Sequence, residues 1–304
     1  MPCKFCKTNP VINLPNSEIN LCKSCFIKYF EKKAIKTIKQ YKLIEKNDHV
    51  MVACSGGKDS LSLLYVLNKL SLKERKIKVT ALLIDEGIKG YRDDSIKDAK
   101  KFCKEHKIKL HIASYKKELG KTLDQMKSQN PNKIACSMCG VFRRSLLNKS
   151  SRELKATKLA TGHNLDDEAQ SILMNQLRNN IALSSRMGPR TGTGKDPRFI
   201  PRIKPFYFLT EKEVATYAFL KGLISKFNEC TYNEDSYRFE IRDLLNNLEQ
   251  KYPGTKHSLV ASFIEILPTL KKSFKGKSIG ICKTCGEPTS SNICKVCNLT
   301  KEIN

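Results

Sequence analysis

The stretch HVMVACSGGKDSLSLLYVLNKL, residues 49–70, sets an apolar run against an amphipathic one across a loop of two glycines and a lysine. The first run, 49–54, reads as a strand and the second, 59–70, as a helix. The alternation recurs along the chain. KVTALLID (78–85) is a second strand, followed by a helix over about 93–106. KLHIASY (109–115) is a third strand. A helix after Cys139 carries Val141, Phe142, Leu146 and Leu147 as its apolar stripe. KLATGH (158–163) is a fourth strand, leading into a helix over 165–180. Residues 210–223 suggest one more helix and ISKFN (224–228) a short strand. Apolar strands alternating with helices predict an α/β protein, a doubly wound parallel sheet covered on both faces. Ligands bind such sheets beyond the carboxyl ends of the strands. The loops after Cys54, Ile84 and Ala160 are therefore expected at one crevice.

The two ends follow a different rule. Cys3, Cys6, Cys22 and Cys25 form C-x2-C-x15-C-x2-C; Cys282, Cys285, Cys294 and Cys297 form C-x2-C-x8-C-x2-C. Each set matches four thiolates around one tetrahedral zinc ion, a closed and therefore structural site. Such short ends bury little core, so metal binding is expected to supply their folding energy. Between them lies a helical pair over 235–274, divided at Pro253 and Gly254. The expected domains are a zinc module at 1–30, a catalytic domain at 31–235, a helical segment at 236–275 and a zinc module at 276–304.

Five of the 13 cysteines fall outside these quartets: Cys54, Cys103, Cys136, Cys139 and Cys230. Cys103 shares a helical stripe with Ile96, Ala99 and Phe102, and reads as a buried apolar residue. Cys54 ends a strand and reads the same way. Cys136 and Cys139 in ACSMCG, with the distant Cys230, leave three readings open: a [4Fe–4S] cluster with one iron lacking a protein ligand, a CxxC redox pair, or a third zinc completed by a histidine.

SGGKDS is neither G-x4-G-K-[ST] nor G-x-G-x-x-G. It still assembles what a phosphate chain needs. Gly56 and Gly57 permit close backbone approach; Ser55, Lys58 and Ser60 add donors; the following helix presents its positive end. Asp59 is out of place beside phosphates unless it serves magnesium or proton handling. TGHNLDDEA (161–169) also opens a helix from a strand end, with Asn164 or Asp166 as its cap and His163 without an assigned role.

The formal charge is +26, from 56 Lys and Arg against 30 Asp and Glu, which favours a polyanionic partner. Residues 180–208 concentrate Arg186, Arg190, Arg198 and Arg202 in a proline-broken stretch suited to an RNA backbone. No apolar run approaches the ~18 residues of a membrane span. The first residues do not look like a signal peptide. A cytoplasmic protein with reduced cysteines is expected.

SGGKDS resembles the PP-loop of the N-type ATP pyrophosphatases. The ordered set of knuckles, SGGKDS, CSMCG, TGHNLDDEA, a lone cysteine and knuckles again resembles the tRNA 2-thiouridine synthetases of the TtuA and NcsA type over nearly the full length. That resemblance implies ATP with magnesium, its phosphates on Ser55, Gly56, Gly57, Lys58 and Ser60. The adenine would lie near Ala53 and Ile84, with Gly162 and Asp166 closing the pocket. It implies a [4Fe–4S] cluster on Cys136, Cys139 and Cys230, and catalytic roles for Lys58, Asp59 and Arg143. The implied reaction adenylates the C2 oxygen of a tRNA uridine. Sulfide held on the open iron then replaces AMP. The implied partners are tRNA, a thiocarboxylated ubiquitin-like carrier or free sulfide, and a second copy of the chain. Two rivals remain: a PP-loop synthetase that uses ammonia and has no need of the three cysteines, and a zinc-dependent nucleic-acid-binding protein that turns over no ATP.

Overall fold

A computed structural model describes the chain except for residues 75, 192–195, 197, 225–229, 233–236, 275–278 and 304. The amino-terminal end is a short hairpin, β1 (Ile12–Leu14) and β2 (Ile19–Leu21), followed by α1 (Lys23–Gln40). Then come β3 (His49–Ala53), α2 (Lys58–Lys73), β4 (Lys78–Asp85), α3 (Tyr91–Glu105) and β5 (Leu110–Ser114). Three helices follow: α4 (Tyr115–Leu119), α5 (Leu123–Gln129) and α6 (Ala135–Glu153). The chain returns through β6 (Lys158–Ala160), α7 (Leu165–Leu177), α8 (Ile181–Ser184), β7 (Arg190–Thr191), β8 (Arg202–Ile203) and α9 (Glu211–Leu220). It ends with α10 (Tyr237–Lys251), α11 (Thr255–Ser273), the pair β9 (Gly280–Ile281) and β10 (Pro288–Thr289), and α12 (Lys295–Ile303).

Among the described residues the central sheet has six strands in the order β5-β4-β3-β6-β8-β7. All its pairings are parallel except β7 with β8. The chain winds outward from β3 through β4 to β5, then crosses back to β6 on the other side of β3. The switch point therefore lies between β3 and β6, where the crossovers diverge and leave a crevice beyond the strand ends. Val50, Met51, Val52, Ala81, Leu83, Leu159 and Ala160 are buried in the strands, as a sheet covered on both faces requires.

One of these expectations changes. The fifth parallel strand is β8, inside the basic stretch read as a loop; two paired residues are too few to show a period of two. The short strand expected at 224–228 lies almost wholly outside the described residues. The helical pair at 235–274 appears as α10 and α11, both packed on α7.

The two ends are not appended beads. Phe26, Phe30, Ala34 and Ile38 form one stripe of α1, and Phe30 stacks on Tyr217 of α9 at 4.0 Å. Leu14, Leu21 and Phe26 thus belong to the same core as β3 and α2. The expected boundary at residue 30 falls within α1. At the other end Ile303 of α12 joins Met138, Cys139 and Phe142 in the core beneath α6. No helix among the described residues is long and apolar enough to cross a membrane.

Candidate nucleotide and sulfur site

Beyond the ends of β3, β4 and β6 lies a cleft of about 240 Å³. Ala53, Leu82, Ile84 and Leu147 give it an apolar wall; Ser55, Asp59, Ser60, Gly162, His163 and Asp167 give it a polar one.

The loop after β3 is built by its own small side chains. Ser55 N donates to Ser60 Oγ at 3.1 Å, and Ser60 Oγ donates to Gly57 O at 3.0 Å. Gly56 has φ +83°, and a Cβ there would collide with the carbonyl of Ser95. Gly57 caps α2 without a side chain to receive its first N–H groups, an arrangement suited to an anion. Arg92 Nη1 donates to Ser55 O at 3.1 Å and steadies the loop from α3.

Lys58 Nζ lies 2.9 Å from Asp59 Oδ2 and 2.9 Å from Glu211 Oε1. Burial alone lowers its pKa, but Asp59 and Glu211 outweigh that and hold it above the ordinary lysine range. Burial pushes the carboxyl groups of Asp59 and Asp167 upward. The loop after β6 meets the first one closely: a Cβ on Gly162 would lie 3.0 Å from Asp59 C and 3.1 Å from its Cβ, so only glycine fits without displacing Asp59.

Asn164, not Asp166, caps α7. Its Oδ1 accepts from the N–H groups of Asp166 and Asp167 at 3.0 and 3.2 Å, and its Nδ2 donates to Asp59 Oδ1 at 3.1 Å. Asp166 is not among the residues that line the cleft. Its Oδ1 accepts from Lys256 Nζ at 2.5 Å and its Oδ2 from Glu211 N at 2.7 Å, which turns it into the joint between α7, α9 and α11. Asp167 lines the cleft instead. Burial, with Lys204, Arg238, Arg202 and Arg143 adding to it, holds His163 near a pKa of about 3, so its imidazole is neutral there. His163 Nδ1 lies 2.9 Å from Thr161 Oγ1.

Glu86, just past β4, is 1% exposed and was not expected at the site. It pairs with Arg92 Nη2 at 2.5 Å and with Arg143 Nε at 3.1 Å. Arg143 Nη2 donates in turn to Cys139 Sγ at 2.8 Å. The acidic residue immediately after strand β4 was the available signal; its two arginine partners, from α3 and α6, were not deducible from spacing. Arg202 is committed beside the same helix, its Nη2 donating to Arg144 O at 3.4 Å, and burial with the Arg144 charge lowers its pKa to about 10. Arg198 pairs with Asp196 and donates to Ile279 O at 3.1 Å, tying the basic stretch to the carboxyl-terminal module.

Cys136 and Cys139 open α6, with Cys139 buried and Cys136 exposed. Cys136 Sγ donates to Tyr232 O at 3.0 Å, which brings the 230–232 segment to the helix start. Burial raises the Cys230 thiol and the Cys139 charge adds to it; Cys230 packs against the core cluster that contains Cys139. These three sulfurs do not draw within 4.8 Å of one another as each terminal quartet does. A cubane is larger than one ion, so thiolates that hold one stand wider apart than those around a single zinc. Among the described residues no histidine completes a third compact ligand group. The quartets themselves are compact, with Cys6 to Cys22 at 3.3 Å and Cys282 to Cys297 at 3.9 Å. Tetrahedral Zn–S bonds of about 2.3 Å require sulfurs roughly 3.8 Å apart, so both fit zinc.

Comparison with known proteins agrees with this geometry. The PP-loop domain family matches residues 28–248. The tRNA-5-methyluridine(54) 2-sulfurtransferase of Pyrococcus horikoshii is 38% identical, covering 100% of this chain and 96% of that protein. The tRNA 2-thiolation protein NcsA of Haloferax volcanii is 35% identical, covering 100% and 99%. The U34-tRNA thiolase NcsA of Methanococcus maripaludis, solved with its [4Fe-4S] cluster, superimposes with a TM-score of 0.85 at 36% identity, covering 99% of this chain and 96% of that one.

Proposed function

The chain belongs to the PP-loop family and to its tRNA-thiolating branch, and on that premise we propose that it converts a tRNA uridine to 2-thiouridine by adenylating the base and then replacing its C2 oxygen with sulfur. The observation that carries this reading is that the glycine loop is joined to Cys139 through Arg92, Glu86 and Arg143, all three of which line the cleft.

ATP would lie with its adenine against Ala53 and Ile84 and its phosphates over Ser55, Gly56, Gly57, Lys58 and Ser60. The free N–H groups of α2 and the Lys58 ammonium offset the charge that grows on departing pyrophosphate. Asp59 and Asp167 are the carboxylates available to a magnesium ion arriving with the nucleotide. The uracil C2 oxygen attacks the α-phosphorus; the new P–O bond forms as the bond to the β-phosphate breaks. Sulfur then bonds to C2, and the C2–O bond breaks with AMP as leaving group. A uracil carbonyl alone is a poor electrophile, and the phosphate converts its oxygen into a group that departs.

Cys136, Cys139 and Cys230 would hold a [4Fe–4S] cluster, which supplies an iron without a protein ligand at which sulfur is presented. Arg143 holds Cys139 on one side and faces the cleft on the other, where its guanidinium would meet the adenylate. His163, kept neutral, contributes hydrogen bonding without adding charge. Lys58, Asp59 and Arg143 thus stand as the catalytic groups, with Asp167 in the place first given to Asp166. Four thiolates at each end would hold a structural zinc. The basic stretch over 180–208 would suit the tRNA backbone.

The test is an anaerobic incubation of the metal-loaded protein with ATP, sulfide and tRNA. AMP and 2-thiouridine, measured by chromatography and nucleoside mass spectrometry, should form together. AMP formation driven by ammonia, with no thionucleoside, would replace this reading with the synthetase alternative.

A further inference from the structure

Lys58 is the one cation inside the SGGKDS loop, yet it is not among the residues that line the cleft. Its ammonium is turned to two carboxylates, Asp59 and Glu211, each at 2.9 Å. Asp59 is its chain neighbour, so that contact is local. Glu211 comes from the first turn of α9, 153 residues away.

The backbone of Glu211 is held at the start of a capped helix. Thr210 caps α9 through the N–H of Glu213 at 3.1 Å. The N–H of Glu211 itself donates to Asp166 Oδ2 at 2.7 Å. Asp166 is held by Lys256 of α11, whose ammonium also reaches Asn246 of α10 at 2.6 Å. The backbone of Glu211 is therefore fixed, while its carboxylate is 45% exposed and returns to water easily. The Lys58 side chain is 17% exposed and has little water of its own. A lysine so placed needs an anion at every stage. Phosphate serves while nucleotide is bound; another group must serve before it binds and after it leaves.

We propose that Glu211 is the positioning residue that carries Lys58 between turnovers: it releases the ammonium to the nucleotide's phosphates and takes it back as pyrophosphate departs. This rests on the reading of the cleft as an ATP site. The consequence is competition. A group held by a rival anion for most of the time binds its ligand more weakly by the inverse of its free fraction. A partly exposed ion pair is modest in strength, so the expected factor is about fivefold.

The experiment measures ATP and inorganic pyrophosphate affinity, each with magnesium, by calorimetry on the full chain. Glu211→Gln preserves the backbone contact to Asp166 and should tighten both ligands by about fivefold. In steady state it should lower KM for ATP and lower kcat, because pyrophosphate leaves more slowly. In a Lys58→Met background Glu211→Gln should change affinity by less than about twofold. Unchanged or weaker binding in Glu211→Gln, or equal tightening without Lys58, overturns the inference. Failure of the wild-type chain to bind ATP would instead overturn the nucleotide site itself.

Discussion

Arg143 Nε sits 3.1 Å from Glu86 Oε1 while its Nη2 donates to Cys139 Sγ at 2.8 Å. One guanidinium thus joins the floor of the cleft to the helix bearing two of the three isolated cysteines. Glu86 is shared with Arg92, which holds the loop carbonyl of Ser55. Removing one member of a buried charged set leaves the others uncompensated and costs about 3–5 kcal/mol. Glu86→Ala should lose about that much stability in a urea titration, since Arg92 is left buried. Glu86→Gln should lose less, and a loss under about 1 kcal/mol for the alanine variant would show that Arg92 finds another partner.

Lys58 carries charge to the phosphates but contributes little to the fold, because Glu211 is half-exposed. Lys58→Ala should lower AMP formation from ATP by about 10²–10³-fold. Its thermal midpoint should stay within a few degrees of the parent. Steady-state chromatography of AMP and a melting curve on the same sample check both halves.

Cys230 and Cys103 are both partly or fully shielded cysteines, but Cys230 packs against the core cluster of Cys139 and Cys103 lies in that of Cys54. Burial lifts the Cys103 thiol to about 12, as for an inert apolar side chain. Cys230→Ser should therefore lose iron and the brown colour of anaerobic preparations, and with them tRNA thiolation, while ATP affinity holds. Cys103→Ser should keep its iron. Iron-to-protein ratios of the two variants decide it.

His163 gives a pH signature. Its folded pKa of about 3 lies below the unfolded value near 6.5, so the unfolded chain binds the extra proton. The stability this contributes is present above about pH 6.5 and is lost as pH falls toward 3. His163→Gln should make the slope of unfolding free energy against pH shallower in that window, by up to about 1.4 kcal/mol per pH unit. Above pH 7 the two slopes should coincide. Denaturant titrations at several pH values measure this.

The amino-acid sequence by itself determined whatever is encoded in near-neighbour spacing. Strand–helix alternation fixed the parallel sheet, paired C-x2-C knuckles fixed two compact thiol quartets, and SGGKDS after β3 fixed a loop at a strand's carboxyl end. Each is a local pattern whose physics acts over a few residues. Tertiary structure decided the rest. Asp166 and Asp167 are adjacent in sequence, but successive helical residues point about 100° apart, so the docking of α7 on α9 and α11 sends one to Lys256 and the other to the cleft. Glu86 and Glu211 became site residues only when α3, α6 and α9 brought cations to them or them to cations. A side chain's chemistry is written in the chain; the partner that will neutralise it is supplied by packing, and no spacing rule reaches that far.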